Sequence, residues 1–290
     1  MKLACLLGRA CSAAGYLHVW VVSEDVCVSE HPFDIDTSAE QIEPGLFRAD
    51  LTDRWTTANK TPNGGYLTAL LLRTLGATMP LPDPLTCSVS FLKPGSTGEA
   101  HVRTSTLRIG RSVATGQATL EQGEVPIAHL VASFVDRDNS SGRTETFAEP
   151  PSLPPVEQCF DADPSSIFSG MSILERSEYR LATPPGWAIG KPSGVPSGEF
   201  WMRLEGGRPI DAYALAYMVD GYAPAVLELG EINPVTVQLT AYIHASPAPG
   251  WLACRHSTRF VRDGYHDENF ELWDSEGRLV AESHQLALLT

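Results

Sequence analysis

The feature that most constrains the fold of this chain is an internal repeat. Residues 63–134 and residues 211–289 follow the same order of elements. Each begins with an apolar helical run, at 66–73 and at 212–221, and continues with four strand-like stretches separated by turn residues. The stretches cover 87–93, 100–109, 112–121 and 125–135 in the first segment and 235–244, 251–261, 265–273 and 279–289 in the second. A period of about 150 residues with this order predicts a duplicated unit.

Short runs at matching places support the duplication. The FLKP run at 91–94 matches the IHASP run at 243–247, and RIG at 108–110 matches RDG at 262–264. A strand-like stretch also precedes each helix, at 46–55 and at 199–204. A single helix on an antiparallel sheet leaves a sheet edge unpaired, and a second copy covers it. The repeat therefore predicts an α+β pseudo-dimer, with its two sheets joined edge to edge and any shared site at the junction. We expect its helices to start near Gly64 and Asp211, with Leu67, Leu70, Leu71, Leu215 and Met218 in the core.

This pattern divides the chain into four parts. Residues 33–136 form the N-terminal unit and residues 177–290 the C-terminal unit, which carries the site. Residues 137–176 are rich in proline and are interpreted as a linker. Residues 1–32 are interpreted as an extension outside the core. Their apolar stretches resemble a targeting leader, but Arg9 and His18 interrupt them, so that both a leader and a loosely attached start remain open.

Composition excludes some classes of partner. The chain has 290 residues, of which 43% are hydrophobic, so it can bury a sizeable core. Its 35 Asp and Glu against 21 Lys and Arg give a net charge of −14, and no basic run is long enough to bind a nucleic acid backbone. Six scattered cysteines without a CxxC pair are typical of a reducing compartment. We expect a cytoplasmic protein without nucleic acid or membrane partners.

Several phrases, taken in order, connect the chain to a known family. They are PNGGYL at 62–67, SVSFLKPG at 88–95, LAYMVD at 215–220, PVTVQ at 234–238 and most of 272–289. In these phrases the chain resembles the double hot-dog acyl-CoA thioesterases of the type II thioesterase-like family. The resemblance covers about residues 33–136 and 177–289. It implies a tandem double hot-dog fold and the hydrolysis of an acyl-CoA or related acyl thioester.

The resemblance also implies a set of catalytic residues. In type II thioesterases an Asp, a Thr or Ser and a Gln from the second half hold a water molecule between them. Carried over by the phrases above, these residues fall on Asp220, Thr236 and Gln285. The family's strand often has an acid two residues after the hydroxyl, where this chain has Gln238. Gln238 can still form hydrogen bonds in support of the site, but it cannot act as a base.

Each of these residues also has an ordinary structural interpretation. Asp220 could cap a helix, although a carboxylate near a helix C-terminus opposes the helix dipole. Gln285 could be a satisfied core amide, and Thr236 could be a common strand residue. By strict alternation, Thr236 would share one face of its strand with Gln238.

The run Asn63-Gly64-Gly65 precedes the first helix and is a candidate for binding the substrate or its oxyanion. The first backbone N–H groups of a helix lack partners within it, and glycine leaves them unobstructed. The glycines could equally serve only to allow a tight entry into the helix.

Competing functions are weaker. A hot-dog dehydratase or hydratase would require an Asp followed by Asn-Pro and then His, and this run is missing. The eight histidines are scattered without a metal-ligand pair, and no Gly-x-Ser-x-Gly motif occurs, so we expect no metal and no cofactor. The expected partner is an acyl-CoA or acyl-carrier thioester, with a homo-oligomer of double hot-dogs as an open possibility. The main alternative is a non-hydrolytic protein that binds an acyl thioester or assists a pathway. The first-half positions that match the site fall near Pro84 and Ala132, which predicts one site per chain.

Overall fold

A computed structural model describes residues 31–162, 171–231 and 234–289. Within these ranges the chain forms three α-helices and fourteen β-strands. The helices are α1 (Pro32–Asp36), α2 (Gly64–Gly76) and α3 (Ala212–Met218). The strands of the N-terminal half are β1 (Glu40–Glu43), β2 (Leu46–Leu51), β3 (Asp83–Phe91), β4 (Gly98–Ile109), β5 (Ala114–Gln122) and β6 (Val125–Val135). Those of the C-terminal half are β7 (Phe160–Ala162), β8 (Ser177–Leu181), β9 (Ser197–Leu204), β10 (Pro234–Ile243), β11 (Leu252–Ser257), β12 (Val261–Arg262), β13 (Tyr265–Trp273) and β14 (Leu279–Leu289).

The strands form one antiparallel sheet in the order β1-β2-β4-β5-β6-β3-β10-β14-β13-β11-β9-β8-β7, and β12 pairs with β13. The first six strands belong to the N-terminal half and the others to the C-terminal half. In each half a central helix, α2 or α3, packs against the sheet. This is the tandem double hot-dog that the repeat and the resemblance predict.

The helix of the N-terminal half is buried because it is apolar on nearly every face. The Asn63 side chain caps α2 by accepting the N–H of Tyr66 at 3.0 Å. Leu67, Leu70 and Leu71 are at most 3% exposed, which confirms their prediction as core residues. Burying each of them contributes roughly 2 kcal/mol.

The helix of the C-terminal half is shorter than its predicted range of 212–221. Asp211 caps α3 by accepting the N–H of Ala214 at 2.8 Å. The last regular helical residue is Met218, because the N–H groups of Asp220 and Gly221 turn back to carbonyls three residues earlier. Leu215 and Met218 are fully buried, as predicted.

The two halves join through β3 and β10. The strands pair antiparallel, and Ser88 lies opposite Thr240 with a hydrogen bond of 2.7 Å between their hydroxyl oxygens. Trp55 stacks on Tyr66 of α2 with ring centroids 5.4 Å apart and meets Tyr217 of α3 at 5.3 Å. The predicted edge-to-edge joining is confirmed.

Two segments differ from their predicted ranges. The stretch 251–261 is broken into β11 and β12, because the carboxylate of Asp267 accepts the N–H groups of Arg259 and Phe260, at 2.8 and 3.1 Å. Within residues 137–176, which composition predicts as linker, β7 pairs with β8 at the outer edge of the C-terminal half. The expectations for residues 1–30 lie outside the described residues. Among the described residues no helix is both long and apolar enough to cross a membrane.

Candidate active site

A β-bulge in β10 decides which of its side chains face the interior. The register against β14 shifts between Thr236 and Gln238, so that Val237 is the extra residue. Thr236 lies opposite Ala287, which is 2% exposed. Gln238 lies opposite Leu286, which is 38% exposed. Since directly opposed side chains share one face of a sheet, Thr236 faces the interior and Gln238 faces the outside.

The prediction that Gln238 shares a face with Thr236 and supports it there is therefore wrong. Alternation along an unbroken strand would place both on one face, but the bulge reverses the alternation between them. The outward position leaves Gln238 exposed.

Thr236 and Gln285 are joined by a hydrogen bond across β10 and β14. Thr236 Oγ1 donates to Gln285 Oε1 at 2.8 Å. Gln285 is only 5% exposed, and it lies opposite Leu239, which is fully buried. Two polar side chains thus meet on the inner face of this pair of strands.

Asp220 follows α3 and reaches across the junction to the entry of α2. Its Oδ2 accepts the backbone N–H of Gly65 at 2.7 Å and the side-chain Nδ2 of Asn63 at 3.3 Å. The Gln285 amide lies close enough to the Asp220 carboxyl to lower its pKa. Asp220 therefore lies beside the hydrogen-bonded pair of Thr236 and Gln285, although the three residues come from three separate elements.

The environment of Asp220 suits a base near neutral pH. Burial raises the pKa of this carboxyl to about 6, while the hydrogen bonds from Gly65, Asn63 and Gln285 limit the rise. At pH 7 the group is mostly ionised and can accept a proton. Asp220 itself remains partly accessible to solvent.

Sequence reasoning missed Glu268, which extends the same group. Glu268 lies on β13 directly opposite Gln285, is 2% exposed, and accepts Gln285 Nε2 at 3.3 Å. Its other oxygen accepts the N–H of Ala225 at 2.8 Å. Burial raises the pKa of Glu268 to about 8, and the charge of Asp220 adds to the rise. The sequence around it, Asp267-Glu268-Asn269, is polar and gives no signal of burial.

The glycines at the entry of α2 allow the two helices to approach closely. A Cβ atom on Gly65 would lie 2.5 Å from the carbonyl oxygen of Tyr217, and one on Gly64 would lie 3.0 Å from Asp220 Oδ2. The Gly65 N–H, expected as an oxyanion donor, is already bound to Asp220. The Asn63 cap takes the N–H of Tyr66, so the N–H of Gly64 is the first-turn donor that neither the cap nor Asp220 uses.

The N-terminal half does not repeat these side chains. Aligning the halves on the pair Ser88 and Thr240 and on the two helix caps equates the four site positions with apolar or glycine residues. Leu72 stands at the position of Asp220, and Pro84 at that of Thr236. Ala132 stands at the position of Gln285, and Gly116 at that of Glu268. The bulge is duplicated, since the register of β3 against β6 also shifts, between Pro84 and Thr86.

The first turns of α2 and α3 also differ between the two halves. Tyr213 occupies the position in α3 that Gly65 occupies in α2. Its hydroxyl lies over Gly76, where an added Cβ atom would be 2.6 Å away. A tyrosine thus fills the place where the other half leaves room for a carboxylate.

Comparison with known proteins identifies the family. The family models of the acyl-CoA thioesterase N-terminal and C-terminal domains match residues 51–135 and 148–289. A protein of Thermobifida fusca, solved as a candidate thioesterase II, is 31% identical with a TM-score of 0.80, covering 89% of this chain and 97% of its own. The chain belongs to the acyl-CoA thioesterase family.

Other relatives of this acyl-CoA thioesterase family member are more distant. An uncharacterized protein of Mycobacterium bovis is 28% identical over 269 residues, covering 84% of this chain and 91% of the relative. The thioesterase-like protein TwmA of Talaromyces wortmannii is 25% identical over 323 residues, covering 89% of this chain and 91% of the relative. Together with the two domain matches, these similarities support acyl thioester hydrolysis as the general chemistry of the chain.

Proposed function

We propose that this protein hydrolyses an acyl-CoA or a related acyl thioester to the free acid and the thiol, at one site in its C-terminal half. The observation that carries the proposal is the placement of Asp220 beside the hydrogen-bonded pair of Thr236 and Gln285. It combines a base that is ionised at neutral pH with a hydroxyl and an amide that can orient water. These are the groups that hydrolysis of a thioester requires.

In the proposed reaction a water molecule lies between Asp220 and Thr236. The Thr236 hydrogen is already donated to Gln285, so the Thr236 oxygen accepts one hydrogen of the water and Asp220 accepts the other. The water oxygen attacks the thioester carbonyl carbon as Asp220 takes its proton. The tetrahedral intermediate then breaks its C–S bond, the acid is formed, and the leaving thiolate takes up the proton that Asp220 holds, which restores the base.

The negative charge on the carbonyl oxygen needs a donor. The free N–H of Gly64 at the start of α2 supports this role, because a helix N-terminus carries partial positive charge. The nearby Asn63 amide is bound to Asp220 and serves to hold the base. Gly65 serves in the same way through its N–H.

The test is thiol release from a panel of acyl-CoAs, with an acylated carrier protein as a second substrate class. Asp220→Asn keeps the size of the side chain but removes the proton acceptor, so we expect the rate to fall by on the order of 10² or more. Gln285→Ala should cost a similar factor if the amide orients water. Asp263→Asn, in an exposed turn with φ of 52°, is the matched control and should keep full activity.

The experiment also separates hydrolysis from binding. If the wild-type protein releases thiol at the uncatalysed rate while an acyl-CoA binds to it in calorimetry, the protein binds acyl thioesters without hydrolysing them. A preference for the carrier-bound substrate would define the natural thiol.

A further inference from the structure

The ring of Phe91 lies against the entry of α2, next to the proposed base. A Cβ atom added to Gly64 would lie 2.8 Å from Phe91 Cζ and 3.0 Å from Asp220 Oδ2. The ring edge and the carboxylate oxygen therefore flank one point, which Gly64 leaves without a side chain. Because the proposed water molecule is held by Asp220 and must come within about 3.5 Å of the carbonyl carbon to attack it, that carbon lies near the ring.

Phe91 is the last residue of β3 and is only partly buried, although it belongs to the inward face of that strand. Cys87 and Val89, the inward residues before it, are at most 1% exposed. The ring packs against the core at one side and stays partly open at the end of the strand. A partly open aromatic ring beside a reactive group is a surface on which an apolar part of a substrate can pack.

The other half of the molecule fills the corresponding place differently. In the alignment of the halves given above, Ile243 stands at the position of Phe91 and Ala212 at that of Gly64. Ile243 is 1% exposed, and Leu72 replaces the acid there. Packing at the end of this strand is thus satisfied by a smaller, fully buried side chain. The larger and partly open ring stands at the position beside the acid, which favours a role toward the substrate.

We propose that Phe91 is a specificity-determining residue whose ring limits the space at C2, the acyl carbon next to the thioester carbonyl, so that the site selects acyl groups unbranched at C2. The inference rests on the proposed function, which places the thioester beside Asp220. The carbonyl carbon is bonded to sulfur and to C2, and only C2 differs in its substituents between acyl groups. The thiol arm carries polar amides and leads out to solvent, whereas an acyl chain is apolar and matches the ring.

The kinetic test compares linear, 2-methyl and 3-methyl acyl-CoAs of one chain length that the wild type hydrolyses. In the wild type we expect kcat/KM for the 2-methyl substrate to be at least about 10-fold below that for the linear one. Phe91→Ala frees space beside C2 and should raise the ratio of 2-methyl to linear kcat/KM about 10-fold. Phe91→Ile, which takes the residue of the other half, should change it in the same direction. The 3-methyl ratio should change less, because its branch lies one carbon further from the carbonyl.

The matched control is Leu92→Ala at the next residue. Leu92 is 55% exposed and points away from the inward face by alternation, so its loss should leave every ratio unchanged. Thermal unfolding shows whether each variant is folded under the assay conditions, and Phe91→Ile decides if Phe91→Ala is not. Equal losses on all three substrates would show that the ring supports the fold or contacts the common thiol. That result, or equal wild-type rates for linear and 2-methyl substrates, would overturn the inference.

The selection is also measured without turnover. Thioether analogues of the linear and 2-methyl substrates, with CH₂ in place of the carbonyl, cannot be hydrolysed, and calorimetry gives their Kd. The linear analogue should bind the wild type at least about fivefold more tightly than the 2-methyl analogue, and Phe91→Ala should narrow this difference. A wild type that binds the analogues but hydrolyses no acyl-CoA refutes the proposed function, and the Kd ratio then decides the role of Phe91. The same Kd ratio in wild type and variant overturns the inference in either case, and a wild type that neither binds nor hydrolyses refutes both proposals.

Discussion

The carboxylate of Asp220 accepts a 2.7 Å hydrogen bond from the backbone N–H of Gly65, in the first turn of the other half's helix. The acid and the amide that holds it are far apart in the chain, but α2 and α3 pack side by side and bring them together. The two helices meet closely because Gly65 has no side chain. The junction between the halves thus determines the position and the pKa of the acid.

Thr236 and Gln238 should differ sharply in their effect on activity. Thr236→Val keeps the shape but removes the hydrogen that Gln285 Oε1 accepts, so we expect kcat to fall about 10-fold or more. Gln238→Ala changes an exposed side chain on the outer face and should stay within about twofold of the wild type. Steady-state kinetics of the two variants measure this, and equal losses would contradict the inward position of Thr236.

The rate should follow the ionisation of Asp220. A carboxylate accepts a proton only when it is ionised, and burial raises the pKa of Asp220 to about 6. We therefore expect kcat/KM to rise with pH through about 6 and then to level off. The measurement is a profile from pH 4.5 to 8, with circular dichroism confirming the folded state. A flat profile between pH 5 and 7 would rule out Asp220 as the base.

Substitution of Asn63 should shift that profile. Asn63→Asp keeps an oxygen to cap α2, but it replaces the amide donor with a second negative charge beside Asp220. The pKa of Asp220 should rise, and the midpoint of the pH profile should move above that of the wild type. Asp211→Asn exchanges the same two residue types at the cap of α3 and serves as the control. Its midpoint should not move.

Gly65→Ala should weaken both the fold and the site. The added Cβ atom would lie 2.5 Å from the Tyr217 carbonyl oxygen and 3.0 Å from Asp220 Cβ, so the two helices must separate. We expect a loss of about 1–3 kcal/mol in the free energy of unfolding and a lower kcat. Urea unfolding measures the first effect. Gly95→Ala is the control, since its nearest contact is the Ile127 side chain at 3.3 Å, and a loss of equal size there would argue against the tight helix approach.

Glu268 should make the fold less stable as the pH rises. Its pKa is raised from 4.5 to about 8, so between these values the folded state keeps a proton that the unfolded chain has lost. The free energy of unfolding is therefore highest below pH 4.5 and falls as the pH rises through about 8, by an amount on the order of a few kcal/mol.

The measurement is the difference in free energy of unfolding between wild type and Glu268→Gln from pH 6.5 to 9. This window avoids His256, whose pKa is lowered to about 4, and Asp267, whose pKa is lowered to about 2. Burial lowers the pKa of His266 as well. A difference that does not change with pH would show that Glu268 is already ionised throughout it.

The repeat pattern in the sequence was enough to predict both helices, the strands that follow each helix and the buried leucines of α2. These features follow from local periodicity, which the sequence displays directly. The bulge at Val237 could not be predicted, because alternation continues through Thr236 and Gln238 and only pairing with β14 reveals the extra residue. The fragmentation of 251–261 likewise depends on Asp267, a side chain on another strand.

Glu268 escaped prediction for a related reason. An acidic residue in a strand is ordinarily placed at the surface, and its burial becomes meaningful only when the register sets it opposite Gln285. Asp220 could be nominated from its motif, but its contact with Gly65 depends on how two distant helices pack. Local pattern therefore predicted the elements, while the relations between elements needed the structure.

The mismatch between Gly65 and Tyr213 makes the two halves complementary rather than interchangeable. A chain built from two N-terminal halves would have Leu72 at both positions that match Asp220. A chain built from two C-terminal halves would have two acids, but each would face a tyrosine where Gly65 now donates its N–H. The two halves have thus become non-equivalent. Replacing either half by a copy of the other would abolish the site.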